Sequence, residues 1–371
     1  MFTNLKRRHR VLETLIFSGA FCFVAVTTPM ARAQTAKAQT ANAPSVGFDF
    51  GGEKTTARSN GARLDGNAYI KSPQLDARAD TIAFDFSNRQ ITNVRALGNV
   101  RLKMNLVPRG GGAPARIETT SANATLNPVT RTLVLSGKVD GFYQLPGGAR
   151  NTLKGDKATI VYAAAGQFSA DVAGGQSGVQ LTIPAAQTAP GVVSPIGTIT
   201  ISGKDLSVDG AKSVAVVTGN ARAVSSGGTT RFDIAAPSFS VTRDATGALT
   251  NLRATGRTRL KIDLPQPAES STGSVNNSSR ATYFEIAANS ANVDAKSGAT
   301  GTVLGTLTFD GEVSGFYRLQ SADGKSSDNR FTGDRAVVKN PAATGANDLS
   351  DFQIEVTGAP VNIQTPFDLG F

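Results

Sequence analysis

The chain has 371 residues, with 38 lysines and arginines against 28 aspartates and glutamates, and it contains one histidine, one cysteine and no tryptophan. His9 and Cys22 both lie close to the N-terminus, so the rest of the chain lacks histidine bases, thiol nucleophiles and soft metal ligands, and a single cysteine excludes an internal disulfide. The formal charge of +10 is mild for this length and forms no basic run beyond the N-terminus, which disfavours nucleic acid as a partner.

Lys6, Arg7, Arg8 and Arg10 precede an apolar run from about Leu15 to Met30, which Ala31-Arg32-Ala33 closes. A positive segment, an apolar segment and a small-x-small site predict a secretory signal over residues 1–33, cleaved after Ala33. The alternative is an uncleaved inner-membrane anchor, against which stand the shortness of the run and Glu13. Bulky Phe21 before Cys22 fits a lipoprotein cleavage site poorly. Cleavage would leave 338 residues without histidine or cysteine and lower the formal charge to +6. Residues 34–46, rich in Ala, Gln and Thr and poor in large apolar groups, read as a flexible leader.

From residue 47 onward the chain says the same thing twice. Ile91-Thr92-Asn93-Val94-Arg95-Ala96-Leu97-Gly98 returns as Leu249-Thr250-Asn251-Leu252-Arg253-Ala254-Thr255-Gly256, and Val139-Asp140-Gly141-Phe142-Tyr143 returns as Val313-Ser314-Gly315-Phe316-Tyr317. Gly155-Asp156-Lys157-Ala158 then returns as Gly333-Asp334-Arg335-Ala336, in the same order. Two tandem repeats are therefore expected, 47–190 and 196–371, divided where Pro, Ala, Gln and Thr interrupt the strand pattern between Pro184 and Pro195. The second repeat is longer, and its extra residues fall in polar stretches such as 265–279, as surface loops tolerate.

A finer unit runs through both repeats. A strand end, a glycine, usually a polar residue and a new strand recur at Gly66, Gly98, Gly137, Gly178, Gly219, Gly256, Gly311 and Gly358. Glycine inside a strand marks a bulge, bend or close approach, so Gly98, Gly137, Gly256 and Gly311 are read as bends. Between them the residues alternate with period two. Val100, Leu102 and Met104 face one way, as do Leu133, Leu135, Val139 and Tyr143; Leu260 and Ile262, and Leu307, Phe309, Val313 and Tyr317, repeat the parity. No segment after residue 33 has a sustained helical period, and an all-β chain of about 25 to 30 short strands is expected.

Ala79-Asp80-Thr81-Ile82-Ala83 running to Leu97-Gly98-Asn99-Val100, with Gly155-Asp156-Lys157-Ala158, Asp205-Leu206 and Gly219-Asn220, resembles the repeat of the LptA/LptC-like (OstA-like) lipopolysaccharide-transport family over most of residues 60–360. The resemblance implies an elongated open β-jellyroll, a two-walled stack of antiparallel strands in two tandem repeats, whose apolar trough holds acyl chains. It implies a periplasmic lipid-binding bridge, and makes Val100, Leu102, Met104, Leu133, Leu135, Val139, Tyr143, Leu260, Ile262, Leu307, Phe309, Val313 and Tyr317 the trough candidates. Expected partners are lipopolysaccharide or another envelope lipid, with edge-strand pairing to itself or to other transport proteins; no cofactor, metal or catalytic residue is expected. Phe142 and Phe316, of outward parity, would cover a bend or an interface, and Arg101, Lys103, Arg259 and Lys261 would be solvated or meet lipid phosphates at the rim. A structural or adhesive cell-envelope β-solenoid with a sealed core is the competing reading. A carbohydrate-active protein ranks last, because no spacing singles out a pair of carboxylates.

Overall fold

A computed structural model describes residues 49–87, 90–107, 113–163, 167–185, 194–245, 247–264, 280–298, 301–320, 325–339 and 353–365. The expected signal over residues 1–33, the expected leader over 34–46 and the 265–279 stretch lie outside the described residues. Every regular element among those described is a strand. They are β1 (Asp49–Gly51), β2 (Lys54–Arg58), β3 (Gly61–Lys71), β4 (Leu75–Ser87), β5 (Gln90–Leu106), β6 (Ala115–Asn127) and β7 (Thr132–Gln144). There follow β8 (Arg150–Tyr162), β9 (Phe168–Ala173), β10 (Val179–Ile183), β11 (Thr198–Gly203), β12 (Asp205–Asp209), β13 (Val214–Ser226) and β14 (Arg231–Arg243). The last are β15 (Leu249–Asp263), β16 (Arg280–Gly298), β17 (Gly301–Gln320), β18 (Ser326–Lys339), β19 (Gln353–Thr357) and β20 (Asn362–Gln364). The twenty are fewer and longer than the short strands expected, because the chain stays hydrogen-bonded through its glycine bends instead of ending there.

All twenty belong to one antiparallel sheet. From β3 to β8 and from β13 to β18 each strand pairs with the next. Between these runs, β9 and β10 pair with opposite halves of β8, β12 and β11 pair with them in turn, and both then pair with β13. At the edges β2 and β1 share β3, and β19 and β20 share β18. Four rungs are thus split in two, and the described strands form sixteen rungs in chain order, from β1–β2 as rung 1 to β19–β20 as rung 16. At about 4.8 Å per rung the sheet is roughly 70 Å long.

Each rung bends in its middle. Register shifts fall between Asp65 and Ala68, Leu97 and Val100, Ser136 and Val139, Thr218 and Ala221, Thr255 and Thr258, and Asp310 and Val313. In each case two residues, a glycine and its successor, oppose one residue of the next strand, which is the geometry of a β-bulge. All eight glycines of the recurring unit have φ between +72° and +147°. Gly98 shows why: its φ is +74°, and a Cβ there would lie 2.1 Å from Oδ2 of Asp80 on the neighbouring rung. Asn99, also left-handed at φ +49°, donates Nδ2–H to the same carboxylate at 3.0 Å. Rungs carrying Gly-Xaa therefore alternate with rungs carrying one residue, Asp80, Ala122, Asp156, Lys204, Pro237, Asn289 or Asp334. The bends align into a crease along the whole sheet.

The crease folds the sheet into a two-walled β-jellyroll. Wall A contains residues 61–65, 81–87 and 90–97 and the half-strands that continue them; wall B contains 68–71, 75–79 and 100–106 and their continuation. Period-two alternation then points every second side chain of both walls into a shared interior, where one apolar cluster runs from Leu64 to Val338. The matched sequence blocks lie on β5 and β15, β7 and β17, and β8 and β18, each pair eight rungs apart. The middle of the sheet is continuous, since β10 pairs with β11 from Val179↔Gly203 to Ile183↔Ile199.

Candidate functional site

The inward residues singled out from the sequence all reach the interior. Val100, Leu102 and Met104 lie on wall B of rung 4, Val139 and Tyr143 on wall B and Leu133 and Leu135 on wall A of rung 6, and Leu260 and Ile262 on wall B of rung 12. Leu307 and Phe309 line wall A of rung 14, with Val313 and Tyr317 on its wall B. Twelve of the thirteen are buried in the common cluster, and Tyr317 packs against it half-buried. Side chains fill this interior: an apolar cavity among Ile262, Phe284, Ile286, Leu304, Leu307 and Val338 measures about 10 Å³, room for about one water-sized sphere. An acyl chain can enter only if the walls part.

What holds the walls together at the rim, opposite the crease, is therefore decisive. Two contacts do so. In the first, Arg243 at the end of β14 in wall A donates from Nη1 to the hydroxyl of Tyr143 in wall B, with its guanidinium 5.0 Å from the ring centroid. Phe168 of wall A packs on the same ring at 5.5 Å between centroids. Beside them the β14–β15 turn meets the β7–β8 turn: a Cβ on Gly247 would lie 3.5 Å from the backbone nitrogen of Ala149. Burial pushes the Tyr143 hydroxyl up from its ordinary pKa, against the opposing pull of Arg243. In the second contact, residues 194–196, entering β11 of wall B, form a strap. Ile196 N–H donates to the carbonyl of Thr302 at 3.0 Å, and Thr302 N–H donates to Oγ of Ser194 at 3.2 Å. The strap also accepts Thr230 N–H on the Pro195 carbonyl at 2.9 Å. Rung 6 thus touches rung 11, and the start of rung 9 touches rung 14, because twist carries one wall about five rungs past the other at the rim.

Sequence reasoning missed Arg243, although a signal existed. In Phe239-Ser240-Val241-Thr242-Arg243 the arginine takes the inward parity of Phe239 and Val241, and it is only 3% exposed. Its Nε and Nη2 have no hydrogen-bond partner. The carbonyl oxygen of the Asn151 side chain, directly across from Tyr143, is likewise buried without one.

The basic residues named earlier sit elsewhere. Arg101, Lys103, Arg259 and Lys261 occupy the outer face of wall B, not the rim. Lys103 approaches Glu118 at 3.8 Å, and Arg259 pairs with Glu285. Phe142 and Phe316 share that face, the first beneath the guanidinium of Arg150 at 4.6 Å and the second against Tyr283 at 5.5 Å. Desolvation, aided by the Tyr283 hydroxyl donating to Glu285 at 2.8 Å, pushes the Tyr283 pKa up to about 12. A shallow depression of about 340 Å³ on the outer face of wall A lies over Lys157, Asp171, Asp205 and Ser207. Among the described residues no group of three or more His, Cys, Asp or Glu is placed to hold a metal ion.

No protein-family model matches the chain, and no curated protein matches it. Among solved structures, the chain aligns with LptH from Pseudomonas aeruginosa, described as the LptA-homologous periplasmic component of the conserved lipopolysaccharide transport device. The identity is 10% and the TM-score 0.25, over 30% of this chain and 74% of LptH.

Proposed function

We propose that this chain is an exported, periplasmic, non-enzymatic lipid-handling protein that shields acyl chains between its two walls and conducts lipopolysaccharide or a similar envelope lipid toward the outer membrane. The observation that carries the reading is the continuous apolar interior of a single creased sheet some 70 Å long, closed at the rim by a few non-covalent contacts. Such an interior far exceeds the length of one acyl chain and suits a conduit. The compartment rests on the signal over residues 1–33, and the two modules on the eight-rung spacing of the matched blocks. In this reading the end rungs pair with a second copy or another envelope protein by strand addition.

The competing reading, a sealed structural solenoid, is favoured by one observation: the interior is already filled. Native mass spectrometry with lipid extraction, on protein purified gently from its own envelope, separates the two. Stoichiometric glycolipid or phospholipid is expected, lost in Leu102→Asp and Leu260→Asp variants whose far-ultraviolet circular dichroism stays that of a β-protein. Stable protein that carries no lipid would sink the transport reading and leave the solenoid.

A further inference from the structure

We infer that Arg243 is the anion-recognition point of this rim, a guanidinium that receives the phosphate or carboxylate head of an amphiphile whose chains enter between the walls. The inference rests on the lipid-handling reading and assigns it a head-group site.

The side chain is 97% buried by the complement of its 3% exposure, and no carboxylate among the described residues forms an ion pair with it. Its Nη1 is spent on Tyr143, which leaves the Nε–Nη2 edge bare. That edge carries two parallel N–H donors, the fork that matches the two oxygens of a phosphate or carboxylate. A buried charge without a counter-charge destabilises a fold, and a chain selected for stability alone would hold Met or Leu at this inward position. The position on the fold supplies the second half of the argument. Arg243 sits at the end of its strand, where the interior lined by Phe239, Val241 and Leu249 reaches the rim, so a head group bound there leaves its chains continuous with the apolar cluster.

The test uses the full mature chain and three probes: dodecyl phosphate, the uncharged dodecyl maltoside and inorganic phosphate, read by calorimetric titration and by Tm. The wild type should bind dodecyl phosphate at least about tenfold more tightly than dodecyl maltoside. Arg243→Met should abolish that preference, keep the maltoside affinity and raise the Tm of the unliganded protein. Arg101→Met, which removes a cation from the outer face of wall B, should leave the preference intact. Tyr143→Phe, which frees Nη1 while keeping the ring, should tighten dodecyl phosphate binding several-fold, and it decides the matter if the Met variant fails to fold. A preference that survives in Arg243→Met, or a folded Met variant with a lowered Tm, would overturn the inference by making Arg243 a purely structural clasp. Equal binding of both amphiphiles by the wild type would overturn the head-group assignment while the lipid reading stood. If no amphiphile binds but inorganic phosphate raises the Tm of the wild type and not of Arg243→Met, the anion site stands and the lipid reading falls. If no probe binds, both fall.

Discussion

The crease depends on single residues that tolerate left-handed backbone, and Gly98 is the sharpest case. At φ +74° an alanine pays for the left-handed conformation and also drives its Cβ into Asp80. Gly98→Ala is expected to lower stability by about 2 kcal/mol in urea unfolding, and Asp80→Ala in the same chain should recover only the steric part, since the backbone strain remains. Titration probes other residues. Because Tyr283 ionises near 12 when folded and near 10 when unfolded, the unfolded chain sheds a proton between these values that the folded chain keeps, so stability falls as pH rises through that window. At the acid end, hydrogen bonds from Arg222 and Arg318 hold Asp233 and Asp328 below the usual carboxylate range. Their contribution is present above about pH 4 and is lost as pH falls through the lowered values. A Tm plateau between about pH 4 and 10, falling on both sides, checks both signs, and Glu285→Gln should move the alkaline limb of the 295 nm tyrosine titration to lower pH.

At the scale of elements, closure rests on the strap at residues 194–196 as much as on any strand. Ser194 accepts Thr302 N–H and itself donates to the Ile196 carbonyl at 2.6 Å, all buried. Ser194→Ala leaves a buried N–H unpaired, for which about 1 to 2 kcal/mol of local stability is the expected loss. Hydrogen exchange should show it as faster exchange at Thr302 and Ile196 while the Val216 amide in the middle of the sheet is unchanged; uniform acceleration would mean that the strap is not a separate opening unit. The strands and bends were legible in the residues because both obey local rules: Leu133, Leu135, Val139 and Tyr143 alternate, and Gly137 breaks the pattern where L side chains cannot follow. The rim was not legible. Which residue of wall A meets Tyr143 depends on twist summed over five rungs, and no spacing near Arg243 encodes residue 143. A charged residue at inward parity was the one visible trace of it, and the basic residues that did draw attention, Arg101, Lys103, Arg259 and Lys261, face outward.

At the scale of the molecule, the offset between walls at the rim has a consequence for the two ends. Wall A of the first rungs and wall B of the last overhang the opposite wall toward the rim, beyond the Phe50–Phe84 contact at 6.0 Å, and among the described residues the apolar groups there are only partly covered: Ala62, Phe86, Ile91 and Val94 at one end, Tyr317 and Leu319 at the other. Tyr143 is 1% exposed, whereas its repeat counterpart Tyr317 stays half-buried, because among the described strands no rung lies five places beyond rung 14. Among the described residues the edge rungs add strand backbone paired on one side alone and exposed Phe50 at one end, and Val361 and Ile363, the last 60% exposed, at the other. The two overhangs belong to opposite walls, so head-to-tail stacking of copies would place wall A of one over wall B of the next, a heterologous contact that does not close on itself. Sedimentation velocity of the mature chain should therefore show a series of oligomers growing with concentration. Ile363→Asp, which places a charge on the exposed apolar group that pairs with Phe331 in the last rung, should shift the series to monomer by about tenfold in concentration. A species that stops at dimer would contradict head-to-tail stacking and point to a two-fold contact through one end alone.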